Sequence, residues 1–177
     1  MRRRTRSLLL AFVPIAAALT ACERRSQADG YPEADDGRLV ARLGGKRVLD
    51  SAAQATYCRG DSILVIVAVT SRWTAGLALQ GAFPVGTART YAVGGSLAVP
   101  GEGAATAAFR AVTDSVEPAL VGAGGTVRLE PGRQATGRFD VHVPAPDGRS
   151  APRHILGAFR ALPTTDTAAT CSMSRTP

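Results

Sequence analysis

The sequence predicts an all-β protein, a single antiparallel β-sandwich or flattened barrel of about 8 to 10 short strands. Three observations predict it. After Arg38, Gly and Pro punctuate the chain roughly every 8 to 15 residues, a spacing typical of turns between short strands. The runs between them alternate apolar and polar residues with period two, the repeat of a half-buried strand. One run, Ser62-Ile63-Leu64-Val65-Ile66-Val67-Ala68-Val69, is apolar on both faces and reads as a central strand covered on both sides.

The chain opens on Arg2, Arg3, Arg4 and Arg6, followed by an apolar run from Leu8 to Leu19. Such a run is too short to span a bilayer stably and is followed by no stop-transfer charge pattern, so it reads as an export signal. It leads into Leu19-Thr20-Ala21-Cys22. That series resembles the lipobox of bacterial lipoproteins. The resemblance implies cleavage before Cys22, a diacylglyceryl thioether on its sulfur and a fatty-acylated (palmitate-type) new N-terminus. Residues 1–21 are then a signal peptide, and the membrane is a partner through the lipid. Glu23, rather than Asp, after the cysteine resembles the outer-membrane default of a Gram-negative cell.

Residues 22–37 are polar, with almost nothing apolar besides Tyr31. They bury too little to offset their ordering entropy and are expected to form a flexible tether. The β domain is expected over 38–162. Leu39, Ala41 and Leu43 alternate with Val40 and Arg42, and Gly44-Gly45-Lys46 turns the chain into Arg47 to Asp50. Ser51 to Cys58 precedes a turn at Arg59-Gly60-Asp61, and the apolar run follows. Further strands are read at Gly76 to Gly81 and Thr90 to Val93, around a Phe83-Pro84-Val85-Gly86-Thr87 turn. Ala104 to Val112 is alanine-rich enough for a helix, but its Phe109–Val112 end and turn-rich flanks favour a strand. The clearest hairpin joins Thr126-Val127-Arg128-Leu129-Glu130 to Arg138-Phe139-Asp140-Val141-His142-Val143 through Pro131-Gly132. In the return strand Phe139, Val141 and Val143 face in, while Arg138, Asp140 and His142 face out. After the Pro144–Pro152 loop, Ile155, Gly157, Phe159 and Ala161 continue the alternation. Residues 163–177 form a Thr/Ser-rich tail held only by Cys171.

The net charge of +7 overstates the basicity of the domain. Four of the 21 basic residues and none of the 14 acidic ones lie in the signal, leaving 17 against 14, or +3. Modest, dispersed charge argues against a nucleic-acid partner, which needs a clustered basic face. With Cys22 acylated, Cys58 and Cys171 remain, an even pair in an exported domain, and are expected to form a disulfide. Two distant cysteines and two distant histidines offer no evident ligand cluster, so no metal is expected. No cofactor motif is present: Gly122, Gly124 and Gly125 lack the Gly-Lys-Ser/Thr context of a phosphate loop.

Gly125-Thr126-Val127-Arg128-Leu129, Gly137-Arg138-Phe139-Asp140-Val141 and Gly157-Ala158-Phe159-Arg160-Ala161 share one local pattern. In each, Gly permits close strand approach and the large apolar residue fills the core. With Ala41-Arg42-Leu43-Gly44-Gly45-Lys46 and Gly86-Thr87…Thr90-Tyr91, this order resembles a family of β-rich bacterial envelope lipoproteins of unknown function. The likeness spans Arg38 to Leu162 and carries no catalytic residue with it. Gly60-Asp61-Ser62 resembles a serine-hydrolase motif, yet it precedes a strand where that family opens a helix, and no Asp-x-x-His follows. His142 and His154 read as surface residues on separate strands. Trp73, in the loop after the apolar run, is either a rim core residue or a ligand contact. The reading is an envelope lipoprotein with no catalytic residues, a non-enzymatic binding or structural module whose protein or small-ligand partner is unknown. One alternative is a carrier of small apolar ligands in a barrel mouth. The other is a hydrolase assembled in three dimensions from Asp61, Ser62, Glu130, His142 and His154.

Overall fold

The computed structural model describes residues 30–81, 88–94, 103–112, 119–145 and 148–171. The signal peptide, Cys22, the first part of the tether, the Phe83–Thr87 turn and the last six residues lie outside these.

The described residues form eleven strands: β1 (Arg38–Leu43), β2 (Lys46–Cys58), β3 (Ile63–Val69), β4 (Trp73–Gln80), β5 (Arg89–Val93), β6 (Ala104–Ala111), β7 (Leu120–Val121), β8 (Gly124–Leu129), β9 (Ala135–Val143), β10 (Arg153–Leu162) and β11 (Thr164–Thr167). Nine of them run in the order β1-β10-β9-β8-β5-β6-β4-β3-β2, and β1 pairs again with β2. The sheet therefore closes into a nine-stranded barrel. This replaces the sandwich expectation for a concrete reason. Leu39 is paired with Phe159 on one side and with Ser51 on the other, so β1 has no free edge, and full closure removes the edges that a sandwich must leave.

The sheet is also not wholly antiparallel. β5 runs parallel to β6 through Ala92 and Ala104. Beyond that short contact β7 takes over the same edge of β6, opposite Ala108 and Phe109. β11 lies parallel to the second half of β2, Ala55 to Cys58, where β1, whose pairing ends at Ala52, leaves the edge open. The tail is thus held by more than Cys171. Arg59 also donates two hydrogen bonds to the Asp166 carboxylate, at 2.8 and 2.6 Å, which holds that carboxyl below its ordinary range.

Inward residues form one continuous apolar core. Its large members are Tyr91, Phe109, Phe139 and Phe159, all fully buried, with Phe109 and Phe139 5.8 Å apart between ring centroids. The barrel wall also turns alanine inward: Ala53, Ala55, Ala68, Ala75, Ala105 and Ala107 are buried. Small and large inward side chains must alternate to fill a small barrel, which explains why the alanine-rich Ala104–Ala111 segment is a strand and not a helix.

β9 and β10 share a reciprocal device. Gly157 lies opposite Phe139, and Gly137 opposite Phe159. A Cβ on Gly157 would overlap the Phe139 ring, and one on Gly137 would come within 2.7 Å of the Phe159 ring. Each ring thus occupies the space that the facing glycine leaves, as in aromatic cover of strand glycines.

Other expectations shift locally. β3 is covered on one face only: Val67 and Val69 are 44% and 58% exposed, because a barrel wall has a single interior. Trp73 opens β4 opposite Ala111 and packs against the core edge, so it is a strand residue and not a loop residue. The β10 alternation breaks after Phe159 at a bulge. Ala161 adopts a left-handed backbone (φ 44°), and Leu162 takes the buried position in its place. Finally, the last part of the expected tether lies on the barrel. Pro32 is buried, Arg138 stacks 5.1 Å from the Tyr31 ring centroid, and Asp36 bridges Arg160 at 2.8 Å.

Candidate functional site

Period two on β9 sets Asp140 and His142 on the outer face, two residues apart. The antiparallel register then places His154 of β10 directly opposite His142, and Leu156 opposite Asp140. Two histidines far apart in sequence become neighbours, with ring centroids 4.2 Å apart and planes tilted by 53°. The Asp140 carboxylate serves both rings through one oxygen. Oδ1 lies 3.1 Å from His154 Nδ1 and 3.6 Å from His142 Nε2.

The surroundings favour this grouping. On the other side of His142 the paired residue is Gly124, and even a Cβ there would lie 3.7 Å from His142 Nδ1. The imidazole therefore leans over a position without a side chain while its Nε2 stays turned to Asp140. On the far side of His154, Gly44 of the β1–β2 turn donates its backbone N–H to the His154 carbonyl at 3.4 Å. The site is partly open to water, with side-chain exposures of 29% for Asp140, 41% for His142 and 55% for His154.

The ligand atoms of Asp140, His142 and His154 all lie within 4.8 Å of one another. Sequence distance, the ground for expecting no metal cluster, is bridged here by strand register. Of the other residues considered for chemistry, Asp61 and Ser62 sit in the turn after β2, at the far end of that long strand from the β1–β2 hairpin beside His154. Glu130 lies at the β8–β9 turn, where its N–H bonds Thr136, remote along β9 from His142. Of the five, the two histidines come together on the outer face of β9 and β10, apart from the Asp61-Ser62 turn and from Glu130, and Asp140 joins them. Trp73 belongs to the β4 rim and is no part of this group. Cys58 and Cys171 stand in disulfide contact with Cα atoms 5.7 Å apart, within the range that a bridge requires. Among the described residues no helix is long and apolar enough to cross a membrane. No family model, curated protein or solved structure matches this chain.

Proposed function

We propose that the protein is a lipid-anchored bacterial envelope protein whose barrel is a non-enzymatic module that binds through its outer surface. One observation carries the reading: a basic and then apolar N-terminus that runs into Leu19-Thr20-Ala21-Cys22. A cysteine in that setting is the point at which a thioether-linked diacylglycerol and a second acyl signal give stable anchoring. Glu23 favours the outer membrane in a Gram-negative cell. The Cys58–Cys171 pair suits an oxidising compartment. The continuous apolar core supports surface binding over internal carriage, because a small barrel filled by Tyr91, Phe109, Phe139 and Phe159 spends its interior on packing.

The anchoring part is tested by Cys22→Ala. Wild-type protein is expected in the detergent phase after phase separation of a membrane extract, and the variant in the aqueous phase, because no sulfur remains to carry the lipid. A variant that still partitions with detergent overturns the lipobox reading.

A further inference from the structure

We infer that Asp140, His142 and His154 form a binding site for one divalent transition-metal ion of the Zn2+ class on the outer wall of the barrel. The inference stands on the geometry of β9 and β10 and is independent of how the chain is anchored.

Ligand chemistry selects the metal. Two imidazole nitrogens and one carboxylate oxygen suit zinc, copper, nickel or cobalt, whereas magnesium and calcium need all-oxygen sets. Spacing agrees with this. Bonds of about 2.0 to 2.1 Å at a tetrahedral angle set ligand atoms roughly 3.3 to 3.5 Å apart. The two contacts to Asp140 Oδ1, 3.1 and 3.6 Å, bracket that separation, and one ligand atom from each of the three residues lies within 4.8 Å of the others.

The scaffold is rigid where the ligands attach. Asp140 and His142 are held by β8 on one side and β10 on the other. Their intervening neighbour Val141 is fully buried, as is Ile155 beside His154. Three protein ligands leave the outward position of a tetrahedral ion open. The glycine opposite His142 keeps the approach from β8 clear. The open position takes water or an electron-pair donor from a partner, such as an imidazole, thiolate or carboxylate, so the ion would be the element through which the outer surface recognises its partner.

The test uses the full chain in detergent, without a polyhistidine tag, titrated calorimetrically with Zn2+ alone and separately with Ca2+. Co2+ titration, followed by visible absorption, reports the coordination directly. Wild-type protein is expected to bind one Zn2+ saturably, to ignore Ca2+ over the same range, and to develop the intense visible bands of four-coordinate Co2+. His142→Ala, His154→Ala and Asp140→Asn should each weaken Zn2+ binding by roughly tenfold or more, since losing even a group that supports a ligand costs that much. All three positions face outward, so the variants should keep wild-type unfolding midpoints without metal. Three results would overturn the site: no saturable Zn2+ binding, equal binding by wild type and the three variants, or Ca2+ binding as strong as Zn2+. Equal binding would locate the ion elsewhere.

Discussion

Replacing Phe139 with Ala is expected to lower stability by about 3 to 5 kcal/mol, the usual cost of emptying a buried aromatic site. Arg138→Ala, one residue away, should lose less than about 1 kcal/mol, because its side chain lies on the outer face against Tyr31 and a solvent-facing cation–π contact is worth little. The contrast rests on β9 alternation, in which Phe139 is fully buried. A sharper form uses the facing glycine. Alone, Gly157→Ala forces a methyl into the Phe139 ring and should cost about 1 to 3 kcal/mol by overpacking. In a Phe139→Ala background the same methyl enters vacated space, so its cost should shrink or vanish, giving a coupling of about 0.5 to 3 kcal/mol. Urea denaturation of the four proteins measures it. Equal losses at 138 and 139, or strict additivity between 139 and 157, would show that β9 and β10 are not in this register.

The second large effect is expected at the cysteines. Cys58 and Cys171 close a loop across a sequence separation of 113 residues, so in the chain-entropy account the bridge stabilises the fold by roughly 4 to 5 kcal/mol. The Cys58→Ser, Cys171→Ser double variant should lose most of that, and dithiothreitol should destabilise wild type but leave the variant unchanged. The loss should also be local. β11 pairs only through Thr164 to Thr167, and the Arg59–Asp166 pair is exposed, where ion pairs contribute little. The tail should then become the first site of proteolysis. Non-reducing peptide mapping should find one cross-linked fragment pair. Free alkylation of both thiols in unreduced protein isolated from its own cells would sink this prediction.

Much of the wall was legible in the sequence because strands advertise themselves by alternation. The inward Phe139, Val141 and Val143, and the outward Asp140 and His142, follow from period two, and the Pro131-Gly132 turn joins β8 to β9. Closure was not legible, because period two says which face is buried and nothing about which strand lies alongside. The same gap misread β3. Val67 and Val69 are apolar by composition, yet only pairing order reveals that their face has no second layer. The alternation of Ile155, Gly157, Phe159 and Ala161 stops at Phe159, at a bulge that no local signal in the sequence marks. The histidine pair was missed although a signal for it existed. The repeated Gly-x-Phe phrases at 137–139 and 157–159 pack best when each Phe faces the other's Gly. That register sets His142 opposite His154 without further information. The likeness of the two phrases is thus itself a mark of their pairing.

The double pairing of β1 also has a consequence for the order in which the molecule assembles. Leu43 meets Ile155 and Arg38 meets Arg160, contacts more than a hundred residues apart. The β1–β2 hairpin can form within microseconds, but its outer edge has nothing to bond until β10 arrives near the end of the chain. Until then the wall is an open, curled ribbon with two raw edges, the species most prone to pair with a neighbouring copy. Non-local closure of this kind places folding on the millisecond-to-second scale. A chain made from its N-terminus onward therefore delivers its seam last, and the time between emergence of β2 and arrival of β10 sets how long a chaperone must guard it.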